Sequence, residues 1–448
     1  MAGESARRFG ISQKSMYDDF RLTVFSDEPS LHGLGARSLR NHNTAISDPA
    51  VRAETTPRTK SVNYPQLYLL ASSHFMLDAY SGSLSPILPL LIAKFGLSLT
   101  LAALLLSAYQ LVASLGQALF GFLTDRFPRF NYSVWSLVIT GTFISAMGWV
   151  SVYSMILVLL ILAGLSTASY HPQAAAMSGE ASKESRAFGM AVFMTAGRLG
   201  YAVGPLIAVP IAVTFDHKVL ILAALPALIL AAVLHRHRTP VGRGAPWPGR
   251  AEFLKPFVEN SRPLVLLWLF EAFRTGIMTG LSAFLPLMLI EKGYSLVAAG
   301  ASVSLFIGAG AVGNLIGGRL ADRIGRKRIL VFSGLGAIPF AYGFLWTEGA
   351  LLWVCLALLG AVLLSSLGVT LAKGQELVPA SSGTVSSLIM GLTWTLGSLG
   401  ILFIGAVGDW ADLPTAIAIL FLLLVPAGIC AWLLPPDREH SAEREAAG

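Results

Sequence analysis

The sequence has few charged residues for its length. Asp, Glu, Lys and Arg make up 13% of the 448 residues, whereas about 25% is usual in soluble proteins. The charges are also concentrated at the two ends of the chain, in residues 1–64 and 435–448. With 54% hydrophobic residues and a mean hydropathy of +0.66, the chain lacks the polar surface of a water-soluble globule. This composition indicates an integral membrane protein and argues against soluble enzymes, nucleic-acid-binding proteins and secreted disulfide-rich proteins.

Cysteine is nearly absent. Cys355 and Cys430 both lie in apolar runs, so neither a disulfide framework nor a metal-ligand motif is expected. The net charge of +7 does not indicate nucleic acid binding, because the basic residues lie between apolar runs, as in the loops of membrane proteins. The sequence also contains no Walker lysine motif, His-Glu-x-x-His or Gly-x-Ser-x-Gly. We therefore expect no metal site, no cofactor and no enzymatic activity.

Apolar runs long enough to cross a membrane recur along the chain. A transmembrane helix needs about 20 mainly apolar residues, and in lipid such a run must be helical to satisfy its own backbone groups. The sequence therefore predicts an all-α integral membrane protein with twelve transmembrane helices. The predicted spans are residues 66–92, 99–122, 134–153, 155–177, 187–211, 219–235, 263–290, 296–321, 329–346, 351–372, 384–408 and 415–434.

A long internal loop, His235–Arg262, divides the membrane region into two halves. With both termini inside, the outer loops carry only Lys94, Lys218 and Lys292, and the other loop Lys and Arg residues lie inside. The positive-inside rule favours this orientation, and we expect a multi-pass protein of a bacterial-type inner membrane. The predicted organisation is a disordered cytosolic tail over 1–64, a six-helix bundle over 65–235, a cytosolic loop over 236–262, a second six-helix bundle over 263–434 and a cytosolic tail over 435–448.

One short motif follows both the second and the eighth predicted helix. The two copies read Gly121-Phe-Leu-Thr-Asp125-Arg126-Phe-Pro-Arg129 and Gly318-Arg-Leu-Ala-Asp322-Arg323-Ile-Gly-Arg326-Lys327. The same spacing in both halves indicates an internal repeat, as in many transporters. We predict that the Gly lets two helices approach closely, and that the Asp pairs with Arg or caps a neighbouring helix at a cytosolic gate. Basic residues after any span would also obey the positive-inside rule, but the duplicated pattern favours the repeat.

With this motif in both halves, the chain resembles the major facilitator superfamily over about residues 65–434. The resemblance implies two six-helix bundles related by pseudo-two-fold symmetry, which rock about a central site in alternating access. The first copy has Pro128 where the family pattern has Gly, and the second copy is intact. In the fifth helix, Gly200-Tyr-Ala-Val-Gly204-Pro205 resembles the antiporter-associated motif of the family. Small residues at this spacing also pack membrane helices in general.

Three further segments resemble the fosmidomycin resistance proteins within this superfamily. They are Ser73-His74-x-x-x-Asp78 in the first helix, His171-Pro172 ending the fourth, and Gln375-Glu376-Leu377-x-Pro379 after the tenth. This resemblance implies a proton-driven exporter of small antibiotics, and fosmidomycin itself is a phosphonate anion. The second and third segments fall at matching places in the two halves. We therefore assign His171, Pro172, Gln375 and Glu376 to the cytosolic gate, or alternatively to helix capping without a role in transport.

Ionisable residues inside predicted spans are costly, by about 2.5–3.5 kcal/mol on insertion scales, so each is a functional candidate. In the first helix, His74, Asp78, Ser81 and Ser85 share one face and are predicted to line a cavity. Asp78 is the first candidate for a proton carrier, because a carboxylate removed from water takes up a proton more readily. His74 is one turn away and could relay that proton. Alternatively, the two side chains only bond to each other and fix helix packing.

The seventh helix carries Glu271 and Arg274, which are three residues apart and can pair on one face. Arg198 in the fifth helix is then the remaining positive charge, and an Arg side chain does not deprotonate in proteins. We hypothesise that Arg198 and Arg274 attract an anionic substrate while Asp78 or Glu271 exchanges the proton. Alternatively, these residues form static salt bridges between the halves. Aromatic and amide residues that either line the same cavity or pack between helices are Tyr80, Tyr109, Gln110, Tyr201, Phe273 and Trp394.

Three functions are consistent with the sequence. The first is a proton-coupled antiporter that exports a small, anionic, antibiotic-like compound by alternating access. The second is a proton-coupled uptake symporter for an organic anion, which the same fold allows. The third is a non-transporting membrane sensor, against which the buried charges argue. The expected partners are the lipid bilayer, a small-molecule substrate and protons, without nucleic acid, and the expected state is a monomer.

Overall fold

A computed structural model describes residues 62–127, 130–182, 186–215, 217–237, 250–378, 385 and 388–437. All of them belong to one compact unit of the chain, Lys60–Gly448. The tail predicted over 1–64 lies outside the described residues except for 62–64, and the tail predicted over 435–448 lies outside them except for 435–437.

Among the described residues, twelve long helical segments, numbered α1 to α12 in chain order, make up most of this unit. In the first half they are α1 (Tyr64–Phe95), α2 (Leu99–Arg126), α3 (Tyr132–Ala146), α4 (Tyr153–Ala181), α5 (Arg186–Phe215) and α6 (Lys218–His237). In the second half they are α7 (Ser261–Glu291), α8 (Leu296–Ile324), α9 (Arg326–Trp346), α10 (Gly349–Leu377), α11 (Thr393–Trp410) and α12 (Leu413–Leu433). These bounds agree with the predicted spans to within about five residues, except at the end of α3 and the start of α11, which lie seven and nine residues inside the predicted bounds.

Ten segments in the described part of the chain are long and apolar enough to cross a membrane. The other two, α3 and α11, are shorter because the chain leaves α-helical geometry at one end of each. A 3-10 turn over Met147–Trp149 extends α3, and a π-helical turn over Leu388–Leu392 precedes α11. With these turns, both reach the length of a membrane span, at about 1.5 Å per helical residue. The prediction of an all-α membrane fold with twelve helices is confirmed.

The helices pack in the same pattern in the two halves. In the first half, α1 packs on α5, α2 on α4 and α3 on α6. In the second half, α7 packs on α11, α8 on α10 and α9 on α12. Adding six to each helix number converts one set into the other, as an internal repeat requires. Across the halves, α2 packs on α11 and α5 on α8, and these two contacts are equivalent under the same operation.

The buried apolar side chains are distributed differently on the two sides of the membrane. We call the side on which α1 begins and α12 ends the terminus side, and the opposite side the far side. Near the far side, one cluster contains residues of both halves, including Leu88 of α1 and Phe284 of α7. Near the terminus side, Phe193 lies in a cluster of the first half and Phe270 in a separate cluster of the second half. The halves therefore share a core on the far side and have separate cores on the terminus side.

The segment predicted as a central loop, 236–262, contains a further helix, Arg250–Glu259. The prolines that indicated a loop, at 240, 246 and 248, all precede this helix and lie outside the described residues. Within the helix, Lys255 and Glu259 approach to 4.0 Å as an exposed i,i+4 pair, a spacing that supports a helix. The connection predicted between the two bundles therefore contains a helix over these ten residues.

Candidate functional site

His74 and Asp78 form a pair one turn apart on α1. The Nε2 atom of His74 lies 3.3 Å from Oδ2 of Asp78, and the two side chains are 5% and 20% exposed. The Nδ1 atom of His74 lies 2.8 Å from the carbonyl oxygen of Phe193 on α5. Because a carbonyl oxygen only accepts, Nδ1 carries a hydrogen and Nε2 faces the carboxyl group. A proton between Nε2 and Oδ2 keeps two lone pairs from facing each other, so this geometry suits a pair that holds one exchangeable proton.

Aromatic rings enclose the His74 side chain. Its ring stacks on Phe193 at a centroid distance of 4.1 Å and meets the His171 ring edge-on at 5.2 Å. The hydroxyl of Tyr170 lies 2.5 Å from Oγ of Ser73, next to His74 in the chain. These contacts hold the imidazole in one orientation, with its Nε2 atom toward Asp78.

The position of His171 differs from the sequence prediction. Pro172 was expected to end the fourth helix, with both residues at the cytosolic gate. Instead α4 continues through Pro172 to Ala181, because neighbouring helices in a membrane protein can satisfy the backbone groups that a proline frees. His171 therefore lies beside His74, and the expectation that the fourth helix ends at Pro172 is wrong. The assignment of His171 and Pro172 to a gate stays a prediction. The ligand atoms of His74, Asp78 and His171 all lie within 4.8 Å of one another, so these residues could hold a metal ion, which the sequence did not predict.

Glycines bring α5 against the backbone of α1. A Cβ atom at Gly200 would collide with the carbonyl of Phe75, and one at Gly204 with the carbonyl of Ala79. Pro205 follows within the same continuous helix. The close helix packing that the sequence offered as an interpretation of this motif is therefore present. The motif contributes to the site by placing the α5 backbone next to the face of α1 that carries the charged pair.

Gly197 makes the same approach at the pair itself. A Cβ atom there would collide with Nε2 of His74 and Oδ2 of Asp78. Gly197 belongs to none of the motifs found in the sequence. The signal that could have found it is its position one turn before Gly200, on the same side of α5 as that motif. No sequence signal identifies the Phe193 carbonyl, because every residue has one.

Glu271 and Arg274 form a second buried pair, on α7. The Nε atom of Arg274 donates to Oε2 of Glu271 at 3.0 Å, and Nη2 donates to Oε1. The residues are 3% and 1% exposed. Their meeting on one helix face agrees with the prediction from their spacing. Because both oxygens of the carboxylate face the guanidinium, the pair is neutral overall and adds no net charge to the interior.

Arg198 is half-buried on α5. It lies within electrostatic range of Asp78, Glu271 and Arg274, so the two pairs and this cation belong to one charged region. Among the described residues, none forms a hydrogen bond or an ion pair with the Arg198 guanidinium. The remaining positive charge that the sequence assigned to Arg198 is thus present in this region.

Two of the tyrosines predicted to line the cavity reach this region. Tyr109 is buried, and its hydroxyl lies 2.6 Å from Oγ of Ser81, on the α1 face that carries the pair. Tyr109 and Tyr201 both lie within electrostatic range of Asp78. Their hydroxyl groups add hydrogen-bonding capacity close to the proposed proton site.

The other predicted cavity residues have different surroundings. Tyr80 donates its hydroxyl to the carbonyl of Ala223 on α6, so it is held within the first half by a contact away from the charged pair. Its contacts indicate a packing role, which the sequence had left as an alternative for such aromatic residues. The remaining three, Gln110, Phe273 and Trp394, are half-buried. Phe273 packs against the apolar cluster of the second half, and Trp394 packs against the cluster that both halves share.

The two glycines of the repeated motif, Gly121 and Gly318, are not at close helix contacts. Among the described residues, no atom lies within 4 Å of where a Cβ at Gly121 or Gly318 would be, so the prediction that they allow close helix approach is wrong for this part of the structure. The adjoining Gly317 makes that approach, because a Cβ there would collide with the carbonyl of Ser365 on α10. Of the first copy, Arg129 lies outside the described residues, and so do the side chains of Asp125 and Arg126.

In the second copy of the motif, the described contacts stay within the second half. Arg326 forms an ion pair with Glu376 at the end of α10, next to the half-buried Gln375. Asp322 and Arg323 are exposed. The structure therefore brings the motif together with the Gln375-Glu376 segment that the sequence assigned to the same gate.

Asp437, just after α12, forms hydrogen bonds with residues of this region. Nζ of Lys373 donates to Oδ1 of Asp437 at 2.6 Å, the backbone N–H of Lys327 donates to Oδ2 at 3.2 Å, and Nζ of Lys327 donates to the Leu434 carbonyl at 2.6 Å. Partial burial raises the pKa of the Asp437 carboxyl, but the hydrogen bonds from the Lys373 side chain and the Lys327 backbone N–H, with the positive charge of Lys373, outweigh burial and lower the pKa below its ordinary value. The carboxylate is therefore charged at neutral pH and holds the end of α12 against α9 and α10.

Known proteins resemble this chain over most of its length. The model of the Major Facilitator Superfamily matches residues 70–400. The uncharacterized MFS-type transporter YfnC of Bacillus subtilis (strain 168) is 28% identical over 410 residues, covering 88% of this chain and 98% of that protein. The fosmidomycin resistance protein of Escherichia coli (strain K12) is 26% identical over 406 residues, again covering 88% and 98%.

Solved structures show the same fold. A bacterial homologue of the human lysosomal transporter Spinster, in an inward-facing and unoccupied conformation, matches with a TM-score of 0.69 at 16% sequence identity. The match covers 84% of this chain and 97% of that one. At this level of identity the likeness concerns the fold alone.

Proposed function

Because the chain belongs to the major facilitator superfamily, whose members are transporters and not enzymes, we propose that it is a proton-coupled exporter of a small, anionic, antibiotic-like compound. That it is a multi-pass membrane transporter follows from the family and the fold. The direction of transport, the substrate and the coupling to protons are the proposal. We further propose a bacterial inner membrane location with both termini in the cytosol, and a monomer that acts without a cofactor or nucleic acid.

The observation that carries export is the convergence of two segments that resemble the fosmidomycin resistance proteins. The His74 to Asp78 segment of α1 and His171 of α4 are far apart in the sequence, yet their ligand atoms lie within 4.8 Å of one another. The relative named as a fosmidomycin resistance protein is matched over 98% of its length. A membrane transporter that confers resistance to a compound would do so by moving it out of the cell, and the similarity to this relative therefore supports export.

The charges of the interior support an anionic substrate. Glu271 and Arg274 neutralise each other, and His74 pairs with Asp78. Arg198 then remains without an ion-pair partner among the described residues. An unpaired charge in a membrane interior is costly, and a bound anion would lower that cost. A phosphonate such as fosmidomycin carries the negative charge that such an anion needs.

The His74–Asp78 pair is the proposed proton site. The Phe193 carbonyl directs Nε2 of His74 toward Oδ2 of Asp78, which leaves room for one proton between them. The Asp78 side chain is 20% exposed, so a proton can reach it, whereas the Glu271 side chain is 4% exposed and already bonded to Arg274. We therefore favour Asp78 over Glu271 among the two sequence candidates.

One observation favours the second candidate, an uptake symporter for an organic anion. Arg198 lies within electrostatic range of Asp78. A proton on Asp78 would leave the positive charge of Arg198 free for an anion, so that proton and anion would bind more tightly together than alone. Antiport requires the opposite coupling, in which binding of the proton weakens binding of the anion. The direction of proton movement therefore separates the two candidates.

The test is proton movement in inside-out vesicles that contain the protein, with a panel of small anions that includes fosmidomycin. Export predicts that adding substrate outside releases protons from an acidic vesicle lumen, whereas a symporter moves protons in the direction of the substrate. Asp78→Asn is expected to abolish substrate-evoked proton movement, because an amide cannot take up the proton. A chelator is present throughout, so that a metal ion at His74 and His171 does not produce the effect.

The matched control is Glu259→Gln, which makes the same kind of change at an exposed carboxylate outside the membrane helices. It is expected to retain wild-type proton movement. Unchanged coupling in Asp78→Asn would exclude Asp78 as the proton carrier. Absence of proton movement with every anion in the panel would contradict proton coupling itself.

A further inference from the structure

The guanidinium of Arg274 has an uneven set of partners. Its Nε and Nη2 atoms donate to Glu271, while its Nη1 atom is buried and has no hydrogen-bond partner among the described residues. The residue is 1% exposed, so bulk solvent does not supply an acceptor for Nη1. One donor of a fully buried cation therefore points into the protein interior without an acceptor.

The neighbouring residues on α7 show related features. The hydroxyl oxygen of Thr275, also 1% exposed, has no hydrogen-bond partner among the described residues. Gly276 is buried and its backbone packs closely against Gly400 of α11, but among the described residues no atom lies within 4 Å of where its own Cβ would be. Unsatisfied buried polar atoms are rare in native proteins and need a specific reason. A buried donor of a cation that lacks an acceptor fits a ligand that brings its own acceptor oxygen.

We propose that Nη1 of Arg274 binds one oxygen of an oxyanion, a carboxylate or phosphonate group of the substrate, and that Glu271 is the positioning residue for this donor. The inference rests on the proposed function and adds the substrate group and its binding atom. Guanidinium groups suit such oxygens, because they donate in fixed directions and form charge-assisted bonds. By occupying Nε and Nη2, the Glu271 carboxylate leaves a single direction in which Arg274 can donate.

This assignment separates the roles of the two arginines. The Glu271–Arg274 pair is neutral, so it contributes direction but little net attraction. Arg198, without an ion-pair partner among the described residues, supplies the attraction for the charge. The positioning role of Glu271 also removes this residue from the proton path. A proton on either carboxylate oxygen would break its bond to Nε or Nη2 of Arg274.

The test is a double-mutant cycle on purified full-length protein in lipid nanodiscs, with fosmidomycin and methylphosphonate as probes in isothermal titration calorimetry. Arg274→Lys removes Nη1 but keeps the charge, and is expected to raise the dissociation constant about tenfold or more, as for loss of a charge-assisted bond. Glu271→Gln is expected to have a similar effect, since it releases the guanidinium. The double variant is expected to bind no more weakly than Arg274→Lys alone, because Glu271 acts only through Arg274.

Two controls accompany the cycle. Thermal unfolding and size-exclusion profiles show whether each variant is folded. If Glu271→Gln does not fold, Glu271→Asp keeps the charge but shortens its reach, and is expected to weaken binding in the same way. Glu259→Gln breaks a matched pair with Lys255 that is exposed to solvent, and is expected to bind both probes like the wild type.

Each outcome supports or overturns the subsite. Unchanged affinity in Arg274→Lys overturns it, and unchanged affinity in Glu271→Gln with loss of proton movement returns Glu271 to the proton path. If the wild type binds neither probe, the oxyanion subsite and the anionic substrate both fail. If the wild type binds them and the cycle behaves as expected but no proton moves in vesicles, the subsite stands and proton coupling fails.

Discussion

The chemistry of His74 depends on a main-chain atom. The Phe193 carbonyl accepts from Nδ1, and this leaves Nε2 for Asp78. In the second pair, the Glu271 carboxylate accepts from Nε of Arg274 and so orients its guanidinium. In both cases a fixed hydrogen bond determines which atom of a charged side chain is available. The sequence identified His74, Asp78, Glu271 and Arg274 as candidates. Helical spacing also predicted that Glu271 pairs with Arg274, but no sequence feature predicted that the Phe193 carbonyl orients His74.

Gly197 provides a test of the His74–Asp78 pair that leaves both titratable groups in place. In Gly197→Ala, the new Cβ would collide with Nε2 and Oδ2 of the pair. We expect substrate-evoked proton movement to fall about tenfold or more, because small displacements of reacting groups strongly affect proton transfer. The measurement is the vesicle assay, normalised to the amount of folded protein.

The matched control for that variant is Gly308→Ala on α8, where a Cβ would meet no atom within 4 Å. Alanine is favoured over glycine in helices by about 1 kcal/mol, so this variant is expected to be at least as stable as the wild type and equally active. If Gly197→Ala transports like Gly308→Ala, the close approach of α5 does not matter for the pair.

At the scale of helices, the α2–α11 contact joins the two halves. Asp409 in the last turn of α11 accepts from the backbone N–H groups of Leu99 at 2.7 Å and Thr100 at 2.8 Å. These belong to the first turn of α2, where N–H groups have no partner in their own helix, and a negative charge is favourable there. A carboxylate of the second half thus caps a helix of the first half on the far side.

We expect Asp409→Ala to loosen this contact. Loss of an N-terminal cap costs about 1 kcal/mol, so amide hydrogen exchange at Leu99 and Thr100 should rise several-fold. The control is Asp412→Ala, because Asp412 caps α12 within its own half by accepting from the Thr415 N–H at 2.7 Å. That variant should raise exchange at Thr415 only. Equal exchange at Leu99 in Asp409→Ala and the wild type would show that Asp409 does not hold α2.

Prolines limit what the sequence reveals at this scale. Pro86, Pro89, Pro172, Pro205 and Pro210 all lie inside described helices. In a soluble protein each would suggest a helix end, and this reasoning misplaced His171. In a membrane the cost of leaving the helix is larger, because an interrupted backbone has no water to bond. The lengths of the apolar runs therefore predicted the helix bounds better than the prolines did.

For the whole molecule, the distribution of apolar contacts fits the alternating access expected of this superfamily. The halves share a core near the far side, while Phe193 and Phe270 belong to separate cores near the terminus side. If the terminus side is cytosolic, as the loop charges predict, this conformation faces the cytosol. Transport then requires the far-side core to part and the halves to close on the terminus side.

A disulfide between the halves should prevent this motion. Oγ of Ser114 on α2 lies 2.9 Å from Oγ1 of Thr395 on α11, so Ser114→Cys with Thr395→Cys is expected to cross-link on oxidation, in a chain with Cys355 and Cys430 replaced. We expect oxidation to stop transport and a reducing agent to restore it. Transport that continues in the fully cross-linked protein would contradict rocking of the halves at this contact.

The control is a pair with the same geometry inside one half. Oγ of Ser333 on α9 lies 2.8 Å from Oγ of Ser366 on α10. Ser333→Cys with Ser366→Cys should cross-link under the same conditions and leave transport intact, because both helices belong to the same six-helix bundle. Loss of transport in this variant as well would indicate damage by oxidation and not a block of the motion.

The sequence by itself determined the membrane fold, the twelve helices, the internal repeat and the meeting of Glu271 with Arg274. Each of these depends on apolar run length, on a short motif or on helical spacing, which are local properties of the chain. Only the tertiary structure placed His171 beside His74, the Phe193 carbonyl on Nδ1 and Gly197 against Asp78, and left Gly121 and Gly318 away from close helix contacts in the described part of the chain. These contacts join residues of different helices, and local periodicity does not encode how far two helices slide or rotate against each other when their surfaces pack.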